Sequence, residues 1–140
     1  MKEEFVPYDL AIRLRRLGFD EPCFATFFSV GAWQIDCTEG ALNLNYRTPC
    51  EYSILAPTFS QAFKWFRDKH DLVAAILPFQ DIEDRVSLCY YYSIVDLDEC
   101  KDEDILCNES SLGASDINFS SHPEAELACL NKLIEIVENI

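Results

Sequence analysis

The sequence predicts an α+β protein in which a mostly antiparallel sheet is covered by three helices. Amphipathic patterns with a helical period stand near the start, the middle and the end of the 140 residues, at about 7–17, 58–69 and 123–138. Short apolar or alternating runs lie between them, which is typical of strand pairs. The chain has no internal repeat and no linker, so we expect a single domain over 1–140.

The first helix is predicted from a proline at its start and a glycine at its end. Pro7 suits a first helical turn, because its missing N–H would have no partner there. Leu10, Leu14 and Leu17 fall on one face. Gly18 then supplies the positive φ at which many helices end.

The central helix has the clearest start signal. Thr58 and Gln61 have the spacing of a capping box, in which each side chain accepts from a backbone N–H of the other residue. Trp65 widens an apolar face that is formed at i, i+3, i+4 and i+7 by Phe59, Ala62, Phe63 and Phe66. We expect Phe63 and Phe66 to be nearly fully buried.

The last helix repeats the capping-box spacing with Ser121 and Glu124, and Pro123 stands in its first turn. Its predicted inner face consists of Leu127, Leu130, Ile134 and Val137, and is widened by Cys129, Leu133 and Ile136.

Strands are predicted at 23–30, 33–37, 41–46, 51–55, 72–77 and 86–95, with a brief one at 117–119. Segment 23–30 is apolar on both faces, as expected of a central strand. Segment 72–77 is an apolar hexamer that ends at Pro78, which predicts a buried strand followed by a polar connection over 79–85. Segment 86–95 has the strongest alternation, and we expect it to form a hairpin with 72–77.

The charge is large and unevenly distributed. The net charge is −14, with nine acidic and eight basic side chains in residues 1–70 against 16 and three in residues 71–140. A nucleic-acid-binding protein needs clustered Lys and Arg, and an anionic membrane surface attracts basic segments, so both classes are disfavoured. The acidity indicates either a solvated face or a surface for a basic partner.

Segment 96–116 is long for a connection inside a compact domain, and we expect it to be mobile and to contact a partner. The candidate contact residues are its dense carboxylates Asp96, Asp98, Glu99, Asp102, Glu103 and Asp104. Their spacing does not match the calcium loop of an EF-hand, because the sixth and twelfth positions counted from Asp96 hold Lys101 and Cys107 instead of Gly and Glu. Weak binding of a divalent cation stays open.

The seven cysteines are odd in number and include no C-x-x-C pair, and the N-terminus does not read as a signal peptide. We therefore expect free thiols, no disulfide and a cytoplasmic location. Cys100 and Cys107 have no second pair of ligands nearby for zinc, and neither His70 nor His122 stands in a nucleophile motif. The sequence thus predicts no catalytic residue, cofactor or metal, and a protein that is not an enzyme.

Three segments resemble a known family. They are EEFVPYDLAIRLRRLGFDEPCFA at 3–25, LAPTFSQAFKWFRDKH at 55–70 and PEAELACLNKLIEIVEN at 123–139. The chain is similar there to a family of small proteins from prophages and other mobile elements of gut bacteria. The resemblance implies an intracellular protein from an accessory gene, and it brings with it no activity and no catalytic residue.

Three functions fit these observations. The first is a non-enzymatic protein-interaction module, an adaptor or inhibitor of a phage or mobile element. Its expected partner is a protein, and a basic surface on that protein would complement the acidic charge of this chain. The second is an acidic nucleic-acid mimic that inhibits a host DNA-binding protein or nuclease. The third is a small-ligand-binding protein or enzyme with a pocket at the strand that contains Tyr90–Tyr92.

Overall fold

A computed structural model describes residues 2–29, 32–35, 54–80, 88–98, 111–114 and 118–140. The described residues form an α+β fold with three α-helices and antiparallel strands, which confirms the predicted class. The strands form two three-stranded sheets where a single sheet was predicted. The helices are α1 (Tyr8–Arg16), α2 (Phe59–His70) and α3 (His122–Glu138), each within one residue of its predicted ends. The chain divides into an N-terminal unit, Met1–Trp65, and a C-terminal unit, Phe66–Ile140.

The N-terminal unit contains α1 and a sheet of β1 (Ala25–Ser29), β2 (Ala32–Ile35) and β3 (Ile54–Ala56) in the order β2–β1–β3. The first of these strands is central, as its two apolar faces predict, and three consecutive residues of it are buried: Ala25, Thr26 and Phe27. The Tyr8 ring of α1 meets the Phe27 ring edge-on, with 5.2 Å between centroids. The predicted strand at 41–46 lies outside the described residues.

Helix α1 ends in a Schellman motif at the predicted glycine. Gly18 has φ +97°. Its N–H donates to Arg15 O at 3.0 Å, and the Phe19 N–H donates to Leu14 O at 3.0 Å. Leu14 and Phe19 are both buried, so the apolar contact that accompanies this motif is available as well.

Helix α2 begins with the predicted capping box, but its buried stripe is rotated from the predicted one. The buried side chains are Phe59, Ala62, Trp65 and Phe66. The expectation that Phe63 is nearly fully buried is wrong, because its side chain is only partly covered. At 100° per residue, Phe63 lies on the side of the stripe away from Trp65, so burial of the indole moves Phe63 to the edge.

The C-terminal unit contains α3 and a sheet of β4 (Leu72–Gln80), β5 (Leu88–Asp96) and β6 (Ser111–Ala114) in the order β4–β5–β6. The predicted hairpin is confirmed, with nine consecutive antiparallel pairs from Leu72↔Asp96 to Gln80↔Leu88. Strand β6 was not predicted. Of the predicted strand at 117–119, Phe119 forms an isolated bridge to Tyr90, and residue 117 lies outside the described residues.

Strand β4 differs from its prediction in length and in burial. It continues through Pro78 to Gln80, so the polar connection predicted from residue 79 begins later. Leu72 is buried, whereas Ala75 and the residues from Leu77 onward are exposed, so the prediction of a fully buried strand is wrong. The apolar run alone could not reveal this, because apolar side chains occur on solvated sheet faces too.

Helix α3 has Ser121 as its N-cap, whose hydroxyl accepts from the Glu124 N–H at 3.4 Å. The Glu124 carboxylate accepts instead from the Ser120 hydroxyl at 2.8 Å, so only half of the predicted capping box forms. The buried stripe consists of Ala125, Cys129, Leu130, Leu133 and Ile134. The predicted inner position of Leu127 is wrong, since its side chain is exposed.

Candidate interaction surface

The two faces of the β4–β5 hairpin have different environments. Paired residues in an antiparallel ladder share a face, so the pairs Leu72↔Asp96 and Ala74↔Ile94 place the even-numbered residues on one side. Leu72 and Ile94 are buried on that face. The Tyr90 ring meets the His122 ring of α3 there, with 5.7 Å between centroids. We call this the helix-covered face, and the odd-numbered side the open face.

The open face is apolar and becomes more exposed toward one end of the hairpin. Its members are Val73, Ala75, Leu77 and Phe79 on β4 and Cys89, Tyr91, Ser93 and Val95 on β5. Leu77 is 38% exposed and Phe79 45% exposed. At the same end of the hairpin, Leu88 is 52% exposed on the opposite face. We call Leu77, Phe79 and Leu88 the apolar end of the hairpin.

Backbone hydrogen bonds fix which groups of β4 point toward β5. The Leu97 N–H donates to Asp71 O at 2.8 Å, so the ladder continues by one further pair, Asp71 with Leu97. Hydrogen-bonded pairs alternate with non-hydrogen-bonded pairs in an antiparallel ladder, so the odd-numbered pairs are the hydrogen-bonded ones. On the other side of β5, Tyr90 exchanges two bonds with Phe119, at 2.8 and 2.7 Å. The backbone groups of even-numbered β4 residues therefore point away from β5. Pro78, opposite Tyr90, lacks an N–H only at this outer edge, which explains how the strand passes through it.

The opposite end of the hairpin is acidic. Asp96 ends β5, and its Oδ1 accepts from the Asp98 N–H at 2.9 Å in an Asx turn. Asp71 lies beside it, between α2 and β4, with φ 54°. Asp96 is partly covered and Asp98 is exposed. At about 3.4 Å per residue, this acidic end is roughly 27 Å from Leu88, so the two ends form separate patches.

Four of the six predicted contact residues, Glu99, Asp102, Glu103 and Asp104, lie outside the described residues. The charge asymmetry is nevertheless present in the part of the C-terminal unit that the structure describes. It carries three cationic side chains, Arg67, Lys69 and Lys132, against eight carboxylates: Asp68, Asp71, Asp96, Asp98, Glu124, Glu126, Glu135 and Glu138. A molecule that approaches this unit therefore meets a field that favours cations.

A second group of polar side chains lies at the start of α3. His122 Nδ1 is 2.7 Å from Glu126 Oε1, one helical turn later. The His122 side chain is 50% exposed, and its ring rests on Tyr90. A carboxylate that holds an imidazole is a common arrangement around a general base. Among the described contacts of this pair there is no nucleophile, so the arrangement here ties the helix start to the sheet.

Two of the three described thiols are buried and are poor nucleophiles. Cys23, Cys89 and Cys129 are free, and the other four cysteines lie outside the described residues. Burial, with Glu21 adding to it, raises the pKa of Cys23 to about 12. Burial, with Glu126 adding to it, raises the pKa of Cys129 to about 12. Because the thiolate is the reactive form, these two residues are inert core side chains at neutral pH.

The described ranges contain no group of three or more His, Cys, Asp or Glu side chains placed to hold a metal ion. In the described part of the chain, no helix has the length and apolar character that a membrane crossing requires.

The sequence pattern alone does not predict the apolar end of the hairpin, because Pro78 is typical of the end of a strand. The signal that could have found it is the segment LVAAILPFQ, in which Leu77 and Phe79 keep the two-residue period across the proline.

No family model, curated protein or solved structure matches this chain.

Proposed function

We propose that this chain is a non-enzymatic protein-interaction module whose contact surface is the apolar end of the β4–β5 hairpin. The observation that carries the proposal is the exposure of Leu77, Phe79 and Leu88 together at one end of a well-paired ladder. Leu77 and Phe79 share the open face, and neighbouring exposed apolar side chains of this size are typical of contact sites. Each would contribute about 25 cal/mol for every Å² of apolar area that a partner covers.

The proposed partner has a basic surface around its apolar contact. Eight carboxylates against three cations in the described C-terminal unit favour such a protein, and electrostatic attraction would act mainly on the rate of association. The resemblance to proteins of prophages and mobile elements suggests an adaptor or inhibitor that acts in the cytoplasm. The acidic end of the hairpin is a second, weaker contact in this proposal.

The test is recovery of partners from a bacterial lysate by immobilised chain, with a matched pair of variants. Leu77 and Leu127 are both 38% exposed, but only Leu77 belongs to the apolar end. Leu77→Gln and Phe79→Gln should each reduce recovery of specific partners several-fold, whereas Leu127→Gln should leave it unchanged. Equal recovery by all three variants would contradict the proposal.

The second candidate is a nucleic-acid mimic, and it is favoured by the charge asymmetry of the two halves. A mimic would bind through patterned carboxylates and would lose binding steeply as salt rises. The variant with Asp102→Asn, Glu103→Gln and Asp104→Asn separates the two functions. Loss of partners in this variant with full retention in Phe79→Gln would favour the mimic, and the reverse pattern favours the interaction module.

A further inference from the structure

We infer that the outer edge of β4 binds an extended segment of the basic partner by strand addition, with the apolar side chains of that segment beside the open face. This inference rests on the proposed function and specifies how the partner is held. It starts from the sheet order, in which β4 is an outer strand of the described residues and is nine residues long. An outer strand presents a row of N–H and C=O groups to a further strand.

The register identifies the groups available for such pairing. Since the odd-numbered residues of β4 bond to β5, the N–H and C=O groups of the even-numbered residues point outward. Leu72 is buried, so the groups available for pairing are those of Ala74 and Ile76. Pro78 offers only its C=O at this edge. An added strand can therefore bond to both groups of Ala74 and Ile76 and to the C=O of Pro78, which confines a docked segment to about five residues of β4.

The side chains beside this edge select the occupant. An added strand would place alternate side chains next to Ala75 and Leu77, which are exposed and apolar. Asp71, directly before the strand, and Asp96, paired with Leu72, favour Lys or Arg at that end. A second copy of this chain is disfavoured as the occupant, because each copy carries a net charge of −14.

The probe is a ten-residue peptide of alternating valine and lysine, blocked at both ends, and its counterpart has glutamate in place of lysine. Amide hydrogen exchange of the full-length chain is followed by NMR. The lysine peptide should slow exchange at Ala74 and Ile76 at least tenfold. The amides of Ala75 and Leu77, already bonded to β5, should change little, and the glutamate peptide should have no effect.

Two variants complete the test. Ala74→Pro removes an outward donor without touching the ladder to β5, as Pro78 already does, and should weaken peptide binding at least tenfold. Ala74→Ser keeps the N–H and should bind like the wild type. If Ala74→Pro does not fold, the exchange pattern of the wild type decides alone.

Strand addition is overturned if the lysine peptide fails to protect Ala74 and Ile76, or if the folded Ala74→Pro variant binds it equally well. The proposed function has its own readout, the effect of Leu77→Gln and Phe79→Gln on partner recovery. Loss of partners in those variants without peptide protection of the edge would leave the interaction module intact and reject only this mode of binding.

Discussion

Thr58 and Gln61 cap the same helix end reciprocally: the Thr58 N–H donates to Gln61 Oε1 at 3.0 Å, and the Gln61 N–H donates to Thr58 Oγ1 at 3.2 Å. Gln61 Nε2 also donates to Pro22 O at 3.2 Å, which attaches the loop after α1 to the start of α2. The side chain of Gln61 therefore serves as both acceptor and donor, and each contact lies within the N-terminal unit.

Removal of the cap should destabilise the protein moderately. Thr58→Ala loses the hydroxyl that accepts from the Gln61 N–H and should lower the free energy of unfolding by about 1 kcal/mol. Thr58→Ser keeps the hydroxyl and should remain close to the wild type. Denaturant unfolding followed by circular dichroism measures both changes, and equal losses would show that the methyl group rather than the cap is responsible.

The two central phenylalanines of α2 should differ in their contribution to stability. Phe66 is fully buried, and Phe66→Ala should lower the free energy of unfolding by about 3–5 kcal/mol. Phe63 is only partly covered, so Phe63→Ala should cost less than half as much. Urea unfolding of the two variants makes the comparison, and a larger loss for Phe63→Ala would show that the stripe is centred as the sequence pattern first suggested.

Asp71 should tolerate glycine but not a β-branched residue. Its φ of 54° lies in the left-handed region, which Gly adopts freely and Asp adopts more readily than most other residues. Asp71→Val should lower the free energy of unfolding by about 1–2 kcal/mol, while the free energy of unfolding of Asp71→Gly should stay within about 0.5 kcal/mol of the wild type. Thermal melts of the two variants at pH 7 test this, and equal tolerance of valine would contradict the backbone assignment.

The two buried thiols should differ in reactivity between the folded and the denatured protein. Burial raises the pKa of Cys23 and Cys129 to about 12, so at pH 8 only about one molecule in ten thousand has either thiolate. A thiol reagent should leave these two residues unmodified in the folded protein. In denaturant, freshly purified protein should show all seven thiols, and a count of five or fewer would demonstrate a disulfide.

Stability should fall as the pH drops below about 6.5, in part because of His70. Burial lowers the pKa of His70 below its ordinary value of 6.5, so the unfolded chain binds the proton more tightly than the folded one. This contribution is complete above the unfolded pKa and is lost as the pH falls through the folded pKa. Unfolding between pH 7.5 and 5.5 should therefore be less pH-dependent in His70→Gln, whereas His122→Gln should retain the His70 contribution.

Helix positions were predictable because each helix has a local signal at one end. Gly18 and the Thr58–Gln61 pair act within a few residues, and the sequence displays both partners of each contact. The hairpin was predictable for a similar reason, since a short apolar run and a run with a two-residue period stand close together. What these signals determine is the existence and extent of an element, and they determine little about its surroundings.

Burial was less predictable, because it depends on which other elements cover a face. Phe63 and Leu127 have the apolar character of their buried neighbours, yet both lie at the edge of a helix stripe. The sequence predicts a connection at Phe79, because a proline precedes it. Only the pairing of Pro78 with Tyr90 shows that the Pro78 nitrogen lies at the outer edge of β4, where no N–H is needed for the ladder to β5. That pairing joins residues twelve positions apart in the sequence. The apolar end of the hairpin therefore became visible only with the tertiary structure.

Pro78 also bears on colloidal behaviour. The strand around it, with exposed Leu77 and Phe79, has the composition from which ordered aggregates grow when one copy adds its strand to the next. A proline whose nitrogen lies at the outer edge removes a hydrogen-bond donor that an added strand would need, directly between the exposed Leu77 and Phe79. It removes no hydrogen bond between β4 and β5. Together with mutual repulsion between highly anionic copies, it disfavours the growth of such aggregates from the exposed apolar strand.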